Sequence, residues 1–421
     1  MIDKYYNGVI EQVVSGIGNV EHNSILVRYS NDFSIWDLES VNHYKDQSDI
    51  FFTCHEFSYN KIAEAYEPYL GLIRQMFHRY CSGTLEEFME ECDVYKLQRP
   101  VFESYFENGF CERTEQILID EVEYEQERMR NSIVTMLQKL SEIRPVVIVL
   151  NRFQLASKST MQLTNRLLQT KNKNIGIVLG VNDVQSIPEF AHEEWDAICE
   201  SMDDRNMVYH IGNAGRNMEP DVMDYYSDYE SDDGYRKLNN LVYFLDFDQA
   251  DHHLSKIERR IKFDNFTISE KKHYQLLLLQ IMVSVLQRDI AKALESCEDL
   301  EKLQDQEKEG AFYYNFWMAT SYMYLGKLEE AMIYVQKAKE CGEALGDDFL
   351  VFRAELLKAQ NQMSGWCNIF FCAQDIEISD KLIEKLNAYH YKNHLAHIYI
   401  YAYDNKPEIV AKAYRSEDLL L

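Results

Sequence analysis

The chain lacks the features that would place it in an oxidising compartment, a membrane or a complex with a polyanion. Its nine cysteines are odd in number and include no C-x-x-C pair. That excludes a disulfide framework or a zinc site as the organising element and reads as reduced, buried thiols. No apolar run approaches the roughly 18 residues needed to cross a bilayer, and the polar, acidic start carries no signal-peptide pattern. The expected location is the cytoplasm. Basic residues are scarce, with 43 Lys and Arg against 70 Asp and Glu, a net charge of −27. Attraction to nucleic acid or an anionic membrane is opposed over most of such a surface. The short basic stretches Lys171-Asn-Lys173 and Arg259-Arg-Ile-Lys262 do not make a basic face. No direct nucleic-acid or membrane partner is expected.

Nucleophilic chemistry has no anchor either. There is no Gly-x-Ser-x-Gly elbow and no Cys-plus-His family signature. His390, His394 and His397 would share one helical face, but Tyr crowds that face, no Cys is near and carboxylates are sparse, so ordinary helix packing is the reading. Cys367 and Cys372 flank the apolar Asn368–Phe371 and read as core. No metal and no cofactor is expected.

What the sequence does contain is patterned. With 421 residues, 46% of them hydrophobic, it is long enough for two to three domains with substantial cores. The first half alternates apolar runs with helical periodicity, the signature of an α/β domain with a parallel sheet. Candidate strands are Ser24–Tyr29, Asp49–Cys54, Val146–Leu150 and Ile175–Val181. Between the second and third lies a helical insertion or lid, which includes the capping-box start Thr84-Leu-Glu-Glu87 and the charged segment Glu115–Ile143.

Met218 to Tyr235 holds seven acidic residues, four tyrosines and no Lys or Arg, and reads as an exposed acidic linker. Beyond it the pattern is helical. Leu276–Ala293 aligns with Asn315–Ala331 at an offset of 331 − 293 = 38 residues, the spacing of a solenoid built from helix pairs. The expected division is 1–217 for the α/β domain, 218–237 for the linker and 238–421 for the helical array.

The second copy, with Ala319, Tyr322, Leu325-Gly-Lys327, Glu330-Ala331 and Ala338, resembles a tetratricopeptide (TPR) repeat. The resemblance implies a surface for a protein or peptide, for which Tyr313, Phe316 and Tyr322 are the candidate contacts. Thr53-Cys-His-Glu56, Tyr66-Glu-Pro-Tyr69 and Arg144–Thr160 together resemble the signal-transduction ATPases with numerous domains, an AAA-like P-loop branch. The implied fold is a P-loop-like α/β domain with a helical insertion, followed by a TPR-like solenoid.

The site residues depart from that family. A phosphate loop needs glycines, Lys and Ser/Thr, and the strand that follows the insertion should end in one or two acids for Mg²⁺. After the first strand stands Tyr29-Ser-Asn-Asp-Phe-Ser34, without Gly or Lys, and Asp32 would repel phosphate. Val146–Leu150 is followed by Asn151 and Arg152. Ser30, Asn31, Asp32, Asn151 and Arg152 are therefore vestigial nucleotide-site positions. The expectation is a noncatalytic regulatory chain that binds protein partners and self-associates at its solenoid end. It would be the N-terminal region of a longer bacterial regulator with a diguanylate cyclase or transcription-regulator output. A divergent active NTPase and a DNA-binding regulator are the alternatives.

Overall fold

The computed structural model describes residues 2–19, 23–29, 34–45, 49–58, 61–95, 98–111, 122–170, 172–182, 191–203, 207–211, 231–263 and 267–367. The chain divides into two compact units, Met1–Ile257 and Glu258–Leu421. Of the expected acidic linker 218–237, residues 218–230 lie outside the described residues and the rest, from Asp232, is helical because Ser231 caps a helix there; the three histidines at 390–397 also lie outside the described residues.

The first unit opens with α1 (Ile2–Gly16), in which Tyr6, Val9, Ile10 and Val13 are buried at helical spacing. Five parallel strands follow: β1 (Ser24–Tyr29), β2 (Phe51–Glu56), β3 (Val146–Asn151), β4 (Ile175–Asn182) and β5 (Val208–Ile211). Their order across the sheet is β2-β3-β4-β1-β5. The first, third and fourth match the sequence expectation closely, β2 is displaced by two residues, and the edge strand β5 was not foreseen. Every residue of β3 and β4 is buried, which explains their continuous apolar runs: both faces of a parallel sheet are covered.

The covering helices follow from connection handedness. From β1 the chain moves toward β2 at one edge, whereas β3 to β4 to β5 moves the other way, so right-handed crossovers place their helices on opposite faces. α1 and α2 (Glu39–Lys45) pack with Ile25, Val27, Val147, Val149 and Val178 on one face. The opposite-pointing Val146, Ile148, Leu150, Ile177 and Leu179 are equally buried. The helices beyond β2 are α3 (Tyr69–Tyr80), α4 (Leu85–Glu91), α5 (Arg99–Asn108) and α6 (Val122–Ile143), then α7 (Lys158–Gln169) after β3 and α8 (His192–Asp203) after β4. The foreseen insertion is present as α3 to α6, and Thr84 does cap α4 with both hydrogen bonds of a capping box.

Helices α9 (Asp232–Tyr243) and α10 (Phe247–Phe263) follow, and the first unit ends within α10. The described part of the second unit continues with α11 (Glu270–Leu286), α12 (Ile290–Leu303), α13 (Gly310–Tyr324), α14 (Leu328–Leu345) and α15 (Asp348–Cys367). Consecutive helices pack on one another, and α13 also touches α11 and α15.

One turn recurs. At the end of α11 the N–H of Arg288 bonds Val285 O at 3.1 Å and that of Asp289 bonds Ser284 O at 2.8 Å. At the end of α13, Gly326 bonds Met323 O at 3.0 Å and Lys327 bonds Tyr322 O at 2.9 Å, the same pattern at the 38-residue offset. This is a Schellman cap, and it needs a left-handed residue. Arg288 (φ 67°) and Gly326 (φ 72°) supply it. The sequence comparison did not reveal that the α9–α10 turn is built identically, with Leu245 (φ 65°) bonded to Val242 O at 3.1 Å and Asp246 to Leu241 O at 2.8 Å. Five residues beyond each left-handed position stands a fully buried alanine, Ala250, Ala293 or Ala331, where the paired helices approach.

Gly326 has open space where a Cβ would go, so Gly326→Ala isolates the conformational effect. The expected loss is about 1 kcal/mol, from the penalty an L-residue meets in this region, read from the urea midpoint. An unchanged midpoint would contradict the turn geometry.

Candidate functional site

In open parallel sheets, ligands bind outside the carboxyl ends of strands where connections diverge to opposite faces. Here that point lies at β1 and β4, and the residues there are Tyr29 and Asn182, paired in register, with Asn151 and Glu56 ending β3 and β2. Tyr29 reaches past β4 and its hydroxyl donates to Asn151 Oδ1 at 2.7 Å. Asn151 is fully buried and its Nδ2 has no acceptor. Gly180 leaves the room: a methyl group there would fall on Tyr6 Oη and at 2.6 Å from Asn151 Oδ1. Burial, followed by the neighbouring Tyr29, raises the Tyr6 phenol well above its ordinary range, so Tyr6 stays a neutral hydrogen-bonding group.

Arg152 adopts a left-handed conformation (φ 53°, ψ 41°) as the chain turns into the short 3-10 helix Phe153–Leu155. Its Nη1 lies 3.4 Å from Glu56 Oε1. Glu56 Oε2 accepts from the N–H of Ile35 at 3.1 Å and from Ser34 Oγ at 3.3 Å. Gln154 Oε1 accepts the N–H of Asn182 at 3.2 Å. Among the described residues the rim is thus occupied by the protein's own side chains. Asn151 and Arg152 sit in it as the sequence suggested, whereas Ser30, Asn31 and Asp32 lie outside the described residues.

The stretch Ala156–Thr160, which carried part of the family resemblance, is a structural clamp. Ser157 caps α7, and its Oγ donates to Glu64 O at 2.9 Å. Ser159 Oγ accepts the N–H of Tyr66 at 3.2 Å, and Thr160 Oγ1 donates to Glu67 O at 3.1 Å. The N–H of Ser159 donates to Asp246 Oδ2 at 2.9 Å. A helix N-terminus is where an anion would bind, and at α7 that place is taken by the buried Asp246 carboxylate. Burial raises the Asp246 pKa, partly offset by hydrogen bonds from Ser159 and Gln249.

Glu64 and Glu67 were not singled out from the sequence. Glu64 Oε2 accepts Asn240 Nδ2 at 2.9 Å, and Glu67 Oε2 accepts the N–H of Glu64 at 3.1 Å. Burial and the charge of Glu67 push Glu64 up to about 7. His55, 3.4 Å from Glu67, is pushed down to about 4 by burial, so the contact is that of a neutral imidazole near neutral pH. Among the described residues no group of three His, Cys, Asp or Glu is arranged to hold a metal.

Of the three candidate partner contacts, Tyr313 and Phe316 share one neighbour, the Arg353 guanidinium, whereas Tyr322 packs on Tyr334. Tyr313 and Phe316 are 8% and 3% exposed, in contrast to the sequence expectation of surface rings, because both are packed into the helical core. The Arg353 guanidinium lies over Phe316 at 4.4 Å. Tyr322 is half-buried and stacks on Tyr334 at 5.5 Å. No helix among the described residues is long and apolar enough to cross a membrane. No protein-family model, no curated protein and no solved structure matches this chain.

Tyr29→Phe removes the one donor that satisfies Asn151 Oδ1 and should cost about 1–3 kcal/mol. Gly180→Ala should cost a similar or larger amount through overpacking. Urea denaturation checks both, and two neutral substitutions would show that the rim is not closed in this way.

Glu64 generates a pH prediction. Its folded-state pKa lies above the unfolded value, so the carboxyl favours the folded state below about pH 4.5, and that advantage is lost as pH rises through about 7. Glu64→Gln should therefore gain stability relative to the parent between pH 5 and pH 8, by roughly 2 kcal/mol after allowance for partial exposure. A pH-independent difference would refute the assignment.

Proposed function

We propose that this chain is a noncatalytic regulatory or signal-transduction module. In this reading an ATPase-like α/β scaffold without a working nucleotide site is joined to TPR-like helical hairpins that recognise a protein partner. The observation that carries the reading is the buried Tyr29–Asn151 hydrogen bond at the switch point of the sheet. Because β4 lies between β1 and β3, the positions for a phosphate loop and for metal-binding acids face each other across one strand. Phosphoryl transfer needs Mg²⁺ held at that junction and donors free to cradle phosphates. Here a neutral amide and two tyrosines fill the junction, Glu56 neutralises Arg152, and Asp246 occupies the nearby helix N-terminus. Chemistry gives way to shape.

The helical half supports a binding role through its form. Two helix pairs of the second unit, α11–α12 and α13–α14, share a capped turn and a buried alanine at the same 38-residue offset, a pattern of the kind that builds extended recognition surfaces. Such a region would act at the head of a longer bacterial cytoplasmic regulator and pass a binding event to an output module.

Isothermal titration with ATP and GTP, with and without Mg²⁺, tests the first part. No saturable binding below the millimolar range is expected, and none should appear in Asn151→Asp, which places a carboxylate in a fully buried position and should lower stability by several kcal/mol. Magnesium-dependent binding or phosphate release by the parent chain would defeat the proposal in favour of a divergent NTPase. Salt-sensitive, sequence-selective duplex binding would instead favour a DNA-binding regulator.

A further inference from the structure

The helical insertion carries a groove that plays no part in the sheet rim. α3 ends at Tyr80, the chain turns through Ser82-Gly83-Thr84 into α4, and the end of α6 approaches them through Ile143 and the Lys139–Glu91 ion pair. Between them is an open cavity of about 690 Å³, lined by Phe77, Phe88 and Ile143 and edged by Glu87, Glu90 and Glu91. The volume falls within the range of sites that accept several side chains or a small ligand.

Its floor is preformed. The Phe77 and Phe88 rings lie 5.1 Å apart, and Phe77 also packs against Phe106 at 5.7 Å. Ile143 is 52% exposed at one end, an uncovered branched side chain beside aromatic carbon. The rim is fixed as well: Glu87 Oε2 accepts the N–H of Thr84 at 2.8 Å in the capping box, which orients that carboxylate at the mouth. Lys139 answers Glu91 at 3.3 Å, but no cation reaches Glu87 or Glu90 among the described residues. Arg144 donates to Tyr80 Oη at 3.1 Å and Arg79 lies over the same ring, so both guanidinium groups are held against this one aromatic of the groove's wall, and neither forms an ion pair with Glu87 or Glu90.

We propose that this groove docks a short basic segment of a partner protein, with one apolar side chain seated on the exposed Ile143 and the uncovered edges of the otherwise buried Phe77 and Phe88, and flanking Lys or Arg paired with Glu87 and Glu90. Charge complementarity selects this occupant. An acidic or phosphorylated segment would meet uncompensated carboxylates, whereas a basic one is steered by the net charge of −27 and held locally by the rim. The apolar floor supplies what charge alone does not, a reason to prefer an anchored peptide over any polycation.

The test is fluorescence anisotropy of the full chain with a short labelled lysine–leucine peptide, beside lysine–serine and leucine–serine peptides of equal length. The lysine–leucine peptide should bind in the micromolar range, at least about tenfold more tightly than either control. Glu90→Lys and Ile143→Ser should each weaken it about tenfold, Ile143→Leu should retain it, and the same charge change on α14, Glu329→Lys, should leave it unchanged. Circular dichroism melts confirm that the variants remain folded. Equal binding of the lysine–serine peptide, equal weakening by Glu329→Lys, or no binding of the lysine–leucine peptide would each overturn the proposal.

Discussion

The hydrogen bond between Tyr29 and Asn151 governs what the carboxyl end of the sheet can be. It joins the ends of two strands across a third, and it exists only because Gly180, in between, has no side chain. Tyr6 from α1 enters the same space, so the helix on one face of the sheet is locked to its rim. A carboxylate in place of Asn151 would be fully buried, with the Tyr29 hydroxyl as a donor but with the desolvation cost of a buried charge. The amide is compatible with that setting, although one donor is left without a partner. Closure of the rim and packing of α1 are thus one event viewed from two sides.

A second constraint acts through Asp246. Its carboxylate accepts the Ser159 N–H at the start of α7 and the Gln249 N–H at the start of α10, so one buried charge serves two helix N-termini. Each N-terminus carries partial positive charge, and bonds to the charged form oppose the desolvation that raises the pKa. The geometry also explains why Leu245 tolerates a left-handed conformation. The Schellman cap places Asp246 one residue later at the N-cap, and Leu245 itself is buried, which offsets its backbone penalty.

Much of the fold was legible because its signals are local. Val146–Leu150 and Ile175–Val181 are β-branched runs bounded by polar residues, and the helix pairs announce themselves through Gly326 and the alanines. β5 escaped notice because a four-residue edge strand, Val208–Ile211, carries too little pattern. The turn at Leu245 was hidden because the expected glycine is replaced by a leucine whose conformation is fixed by tertiary packing. At the site, Asn151 and Arg152 stood out by type. Glu64, Glu67 and Tyr6 did not, since their meaning comes from burial: Glu64 meets Asn240 across 176 positions of sequence, and Tyr6 becomes part of the rim through α1. Tyr313 and Phe316 misled for the opposite reason, since aromatic rings in a helix look alike whether they face solvent or the core.

A rim closed by its own side chains has a consequence for where recognition can occur. Ligand pockets in α/β domains exploit strand ends because loops there are free to present polar groups. When those groups are spent on one another, as Glu56 is on Arg152, Ser34 and Ile35, the strand ends become a rigid platform, and the remaining unpartnered chemistry lies on inserted and appended helices. The charge distribution agrees with this shift. Among the described residues the rim groups are paired or neutral, whereas Glu87 and Glu90 of α4 form no ion pair. An acidic helical edge beside strand ends whose side chains are paired with one another combines a rigid base with an exposed charged surface.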